Sequence, residues 1–250
     1  MKFFLRFILL LGWILVGLVW LVIFNKFFSN NVYKKTLVNF GKVFIAICGA
    51  KVSLKNGQNI KDSINTVIVS NHISWLDIFA IHSIGIPGIF IAKSEIKAWP
   101  LIGTLIVKAR TIFIDRASRH SILNVLEKSK NLLASGHTII FFPEGTTSDG
   151  FKILPFHSSL FTLFLDNPQS KLLPIVIRYS KFGKKTSEAA YVDEMSLWGS
   201  IVKVLSSSGL QIEIEAFEVV NHNFKLTHTN KSRTKKKLAE TIREKMLSKI

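Results

Sequence analysis

Two residues in the run Ser70-Asn71-His72-Ile73-Ser74-Trp75-Leu76-Asp77 are of the types needed for proton transfer, an imidazole followed five positions later by a carboxylate. On a regular helix, residues five apart sit about 140° from each other around the axis and cannot meet. They meet if His72 lies in a strand-to-helix turn and Asp77 reaches back from the first helical turn. Asp77 then holds one ring nitrogen and leaves the other free to take a proton from a hydroxyl. Alone, His-x4-Asp is a weak signal, since most lone polar pairs of this kind are structural.

Two more polar clusters close apolar runs. Phe113-Ile114-Asp115-Arg116 ends in an ion-pairable doublet, and Phe141-Phe142-Pro143-Glu144-Gly145-Thr146-Thr147-Ser148 brings a carboxylate, a glycine and three hydroxyls together. Arg116 suits bidentate contact with phosphate, and Gly145 allows backbone N–H groups close to an anion. Either cluster alone would pass as ordinary turn and surface residues. In open α/β sheets, however, ligands bind at the carboxyl ends of strands, and three such clusters at three strand ends fit one site.

The elements that must position these groups follow from the apolar pattern. Residues 66–70, 88–92, 111–114, 138–142 and 173–179 read as buried strands, and 212–218 as an edge strand with one wet face. Residues 77–82, 121–133 and 158–165 read as helices. The pattern predicts an α/β fold, a mixed, largely parallel sheet flanked by helices and preceded by an N-terminal membrane-anchoring segment.

That segment is an 18-residue run without a charge, residues 7–24, lengthened by residues 3–6 with Arg6 snorkelling. It exceeds the usual core of a signal peptide, and residues 25–28 offer no small-x-small cleavage site, so a retained anchor is expected. Basic residues flank it on both sides (Lys2 and Arg6; Lys26, Lys34 and Lys35), which leaves open whether it spans or dips into a bilayer. Residues 37–50 read as an interfacial or packing helix. The expected division is an anchor at 1–50, a catalytic domain at 51–220, and a polar linker with a basic helix at 221–250.

In a chain of 250 residues with net charge +17, most of the excess sits at the ends. Residues 1–50 hold six basic and no acidic residues and 231–250 eight and two, leaving +5 for the middle. A nucleic-acid binder would carry its charge across the folded domain, so an anionic membrane surface is the expected partner and nucleic acid is not. The C-terminal stripe Leu238, Ile242, Met246 and Ile250 can either lie on anionic lipid or pack on the domain. Cys48 is the single cysteine, which excludes internal disulfides and multi-cysteine metal sites.

Asn71-His72-x4-Asp77, Phe113-Ile114-Asp115-Arg116, Phe142-Pro143-Glu144-Gly145-Thr146 and Leu173-Pro174-Ile175, with Ala92-Lys93-Ser94-Glu95 between the first two, resemble the ordered blocks of the glycerolipid acyltransferases, specifically the bacterial lysophosphatidic acid acyltransferases. The resemblance implies that His72 is the general base and Asp77 its orienting partner, and that Arg116, Glu144, Gly145, Thr146 and Lys93 bind the acceptor. It implies a lysophospholipid acceptor and an acyl-CoA or acyl carrier protein thioester as co-substrate, with neither metal nor cofactor. It also implies acyl carrier protein as a candidate partner, and a bacterial inner membrane location with the site at the cytoplasmic face. The absence of Gly-x-Ser-x-Gly agrees with direct transfer without an acyl-enzyme. Thr147 stands where the family usually has arginine, and Phe156-His157-Ser158-Ser159 replaces a common Phe-Lys-x-Gly. Both departures resemble lyso-ornithine lipid and some lysophospholipid acyltransferases, which keeps those acceptors open. A non-catalytic membrane scaffold would keep the fold without needing His72 or Asp77.

Overall fold

The computed structural model describes residues 2–24, 29–60, 64–115, 117–192, 195–222 and 230–250. Helix α1 (Lys2–Val19) runs into a π-helical turn (Trp20–Phe24), and α2 (Asn30–Ile47) follows. The domain then continues through β1 (Ala50–Lys55), β2 (Thr66–Ser70), α3 (Leu76–Ser83), β3 (Ile89–Lys93), α4 (Ile102–Lys108), β4 (Ile112–Ile114), α5 (Arg119–Ala134) and β5 (Ile139–Phe141). It closes with α6 (Thr162–Leu165), β6 (Lys171–Lys181), β7 (Lys184–Lys185), α7 (Leu197–Ser206), β8 (Leu210–Ala216) and α8 (Lys231–Leu247).

The sheet order is β1-β8-β6-β2-β5-β3-β4, with the short β7 beside β6. All neighbours along that order are parallel except β6 and β8. The central strands are buried on both faces, which is why β2, β5 and β6 read as continuous apolar runs rather than alternating ones. The β6–β7 hairpin turns on Phe182 and Gly183, both at positive φ, the geometry that matches strand twist in a two-residue hairpin.

Two apolar layers cover the sheet. One holds α1, α2, α3 and α7; the other holds α5, α6 and α8. In the first layer, Phe44 of α2 stacks on Phe79 of α3 at 3.6 Å between ring centroids. Gly41 permits that approach, since a Cβ there would sit 2.7 Å from the Phe79 carbonyl oxygen. Helix α1 lies along this layer with Leu10, Ile14 and Gly17 buried, and Arg6 donates to the carbonyls of Leu205 and Ser207 at the end of α7. Segment Lys2–Ile23 is long and apolar enough to cross a membrane.

The strand expected at an edge is interior. β8 lies between β1 and β6, and its wet-face carboxylates are neutralised across strands, Glu213 and Glu215 by Arg178 and Glu213 also by Lys55. Alternation therefore marked a face whose charges pair, not a free edge. β1, α4, β7 and α7 were not expected: β1 alternates weakly, and α4 is only seven residues long. The stripe of α8 packs on the domain, with Leu238, Ala239, Ile242 and Met246 buried in the layer opposite α1.

Candidate active site

β2 and β5 are parallel neighbours, so their carboxyl ends open on the same edge. His72 lies two residues beyond β2, and Asp77 is the second residue of α3, which makes the turn-and-reach-back arrangement real. His72 Nδ1 is 2.8 Å from Asp77 Oδ2. The carboxylate only accepts, so Nδ1 carries the proton and Nε2 is left with a free lone pair able to accept one. The same Oδ2 accepts from the backbone N–H groups of Ile73 and Ser74, at 2.8 and 3.0 Å, as an acidic residue in a first helical turn should. Asp77 is fully buried, while the His72 side chain keeps 20% of its surface. Its ring stacks on Phe142 at 3.9 Å and 7°, which fixes the rotation that the carboxylate alone would leave loose.

The turn bearing His72 is held from both sides. Its N–H donates to Glu144 Oε1 at 2.8 Å and its carbonyl accepts from the Ser148 N–H at 2.8 Å. Glu144 Oε2 accepts from the Leu154 N–H at 2.7 Å. Asn71 extends the β2–β6 pairing with its side chain, accepting from the N–H of Ile177 and donating to its carbonyl. Phe142-Pro143-Glu144-Gly145 is a turn closed from Gly145 N–H to the Phe142 carbonyl, with proline second and glycine fourth, as type I turns prefer.

The resemblance implies that Glu144 binds the acceptor, and the structure adds a bracing role. Glu144 is buried and spends both oxygens on backbone amides, and burial pushes its carboxyl up to about 7 against the pull of those amides. Gly145, Thr146 and Lys93 line the cavity beside His72. Arg116 lies outside the described residues. Thr147 Oγ1 donates to the Tyr191 carbonyl.

The cavity has a volume of about 420 Å³ and reaches from His72 and Thr146 to Gly17 and Leu21 of the N-terminal segment and Leu37 and Phe40 of α2. Trp75, Phe79, Phe90, Ile102 and Leu105 make most of the remaining wall apolar. Lys93 is the one Lys or Arg among the described lining residues. His82 also faces it, kept neutral by burial, which pulls its imidazole down to about 4. No group of three or more His, Cys, Asp or Glu able to hold a metal occurs among the described residues.

The Acyltransferase family profile matches residues 51–178, half of the chain, and it contains both dyad residues and the Glu144 turn. The chain belongs to the Acyltransferase family. This acyltransferase is similar to the 1-acyl-sn-glycerol-3-phosphate acyltransferase of Neisseria gonorrhoeae, 36% identical over 172 residues (68% of this chain, 66% of that one). It is 34% identical to the 1-acyl-sn-glycerol-3-phosphate acyltransferase of Neisseria meningitidis serogroup B over 183 residues (72% and 70%). The lyso-ornithine lipid O-acyltransferase of Brucella abortus is 36% identical over 133 residues (53% and 49%). The aligned segments span about two thirds of the Neisseria proteins and half of the Brucella one. The fold matches the crystal structure of the 1-acyl-sn-glycerophosphate (LPA) acyltransferase PlsC from Thermotoga maritima, with TM-score 0.68 at 23% identity over 100% of this chain and 97% of that one.

Sequence reasoning missed two residues that touch the pair: Phe142 shows only as strand end, and Tyr179, whose hydroxyl donates to Asp77 Oδ1, belongs to the far end of a strand. The clamp role of Glu144 needs the Leu154 loop in view. The α1 and α2 share of the cavity had no signal beyond apolarity.

Proposed function

We propose that the protein moves an acyl group from an acyl thioester to the free sn-2 hydroxyl of 1-acyl-glycerol-3-phosphate, forming phosphatidic acid at a membrane surface. The observation that carries this reading is an imidazole locked at Nδ1 by a buried carboxylate on the wall of a long apolar cavity. His72 Nε2 takes the hydroxyl proton as the oxygen attacks the thioester carbonyl. The C–S bond then breaks, and the departing sulfur recovers the proton from His72. The cavity wall takes the acyl chain at about 0.8 kcal/mol per buried CH₂. Lys93 and the Thr146 backbone N–H meet the acceptor's phosphate, with Gly145 leaving room for its approach and Arg116 joining them, and the thioester comes from coenzyme A or acyl carrier protein.

Lyso-ornithine lipid is the second reading, favoured by one observation. Thr147 holds no charge and has its hydroxyl committed to the Tyr191 carbonyl, so the cavity has one fewer phosphate contact than an arginine there would give. Purified protein assayed with labelled acyl-CoA against lysophosphatidic acid, lyso-ornithine lipid and lysophosphatidylcholine decides between them. A kcat/KM at least about tenfold higher for lysophosphatidic acid is expected, the worth of one charge-assisted contact. Preference for an acceptor without a phosphomonoester overturns the substrate assignment.

The location we propose is the cytoplasmic face of a bacterial inner membrane, with α1 lying in the interface. Its buried side rests on the domain while Phe4, Leu5, Ile8, Leu15 and Val16 form an exposed apolar stripe. Replacing Ile8 and Val16, 67% and 54% exposed, with lysine is expected to cut binding to phosphatidylglycerol-containing vesicles by about tenfold or more, since each gives up 1.5–3 kcal/mol of burial. Unchanged co-sedimentation would place the membrane contact elsewhere.

A further inference from the structure

Asp77 has a second side-chain partner besides His72. The Tyr179 hydroxyl donates to Asp77 Oδ1 at 2.6 Å, with the tyrosine 2% exposed. Its place follows from strand length. β2 ends at Ser70 opposite Ile175, but β6 runs on to Lys181. Ile175, Ile177 and Tyr179 share one face by strand periodicity, and all three lie in the layer that contains α3. The overshoot thus brings a phenol up beneath the first turn of α3.

We propose that Tyr179 is a positioning residue for acyl transfer, holding the carboxylate plane of Asp77 and drawing off part of its charge so that His72 remains a free base at the pH of the reaction. This rests on the assignment of His72 as the general base. Oδ2 carries three donors and Oδ1 carries the phenol, so without Tyr179 one oxygen of a buried anion loses its side-chain donor. The nearest remedy is a proton on His72, whose ring is 2.8 Å from the other oxygen.

The titratable groups facing this pair are His72, Glu144 beyond the His72 peptide with Arg243 of α8 behind it, and Cys48 at the end of α2 with Arg6 beside it. Burial keeps Cys48 a neutral thiol, pushed up to about 12, and burial with the Asp77 charge keeps Tyr179 a protonated donor. Glu144 contacts neither Tyr179 nor the Asp77 carboxylate through a hydrogen bond, so changes at 179 leave its bonds in place.

The test is the pH profile of kcat/KM for the full chain in detergent micelles. Tyr179→Phe keeps the ring and removes the hydroxyl, and its acidic limb is expected to move up by about one pH unit with acceptor KM within about twofold. Site-specific 3,5-difluorotyrosine at 179 gives a stronger donor and is expected to move the limb down. It also decides the matter should the phenylalanine variant not fold. A purely structural tyrosine would change melting temperature and leave both limbs at the wild-type position, and that result overturns the proposal. His72→Ala run alongside separates the two failures: full activity there removes the general-base assignment itself, whereas an inactive His72→Ala with unmoved limbs at 179 removes only the role of Tyr179.

Discussion

Replacing His72 with alanine is expected to lower kcat by about 10³-fold or more with little change in folding. A positioned acid–base group contributes roughly 10²–10⁴-fold, and in the proposed reaction one imidazole both removes the hydroxyl proton and returns it to the leaving sulfur. The fold survives the change for reasons visible in the site. Asp77 keeps the Ile73 and Ser74 N–H groups and the Tyr179 hydroxyl, so no buried charge is stranded. The backbone bonds from residue 72 to Glu144 and Ser148 do not involve the side chain. What is lost is the Nδ1 hydrogen bond to Asp77, worth about 1.5–3 kcal/mol, and the stack on Phe142, worth about 0.5–1.5 kcal/mol, which together lower the melting temperature by several degrees while the fold persists. The measurement is acyl transfer from labelled acyl-CoA to lysophosphatidic acid, paired with thermal melting in the same micelles. Activity within tenfold of wild type in a variant that still melts cooperatively would show that some other group takes the proton.

The site was legible where its logic is local. His72 and Asp77 are five residues apart, and their meeting requires only that a strand end and a helix begin between them; the apolar run 66–70 and the polar turn after it say both. Phe142-Pro143-Glu144-Gly145 declares a turn by residue type. Contacts between distant segments left no such trace. Glu144 is chemically suited to bind or to brace, and only the nearness of the Leu154 amide, brought round by residues 148–153, assigns it to bracing. Tyr179 sits 102 residues from its partner, and its role depends on β6 outrunning β2. The sheet itself was read well at its centre, where burial on both faces produces unmistakable apolar runs, and poorly at β1 and β8. There, cross-strand ion pairs put charged residues on an interior strand and gave it the pattern of an edge. For α8 the sequence allowed two homes for one stripe. The structure buries the stripe against the layer remote from α1, because β6 and the Ser159–Phe161 turn offer apolar surface there, and Arg243 ties the helix to the Ile153 and Leu154 carbonyls.

Asp77→Asn is expected to reduce kcat/KM by about 10²–10³-fold while keeping the geometry nearly intact, and the direction of its pH effect separates charge from shape. An amide at 77 has one favourable orientation. With its oxygen in the Oδ2 position it still accepts from His72 Nδ1 and from the Ile73 and Ser74 N–H groups, and its NH₂ meets the Tyr179 hydroxyl, which can turn and accept. The reverse orientation would set NH₂ against two backbone donors, at about 1–3 kcal/mol for each left unmet. The tautomer of His72 is therefore preserved, and the missing ingredient is the negative charge that, in the proposed reaction, steadies the imidazolium formed as the hydroxyl attacks. Losing an opposite charge at this range lowers the proton affinity of its partner. The acidic limb of kcat/KM is thus expected to move down, opposite to Tyr179→Phe, and raising the pH should not recover activity. A variant whose limb stays in place while its rate falls would mean that Asp77 acts through geometry alone. One that keeps wild-type rates would mean that the buried carboxylate serves the fold and not the proton transfer.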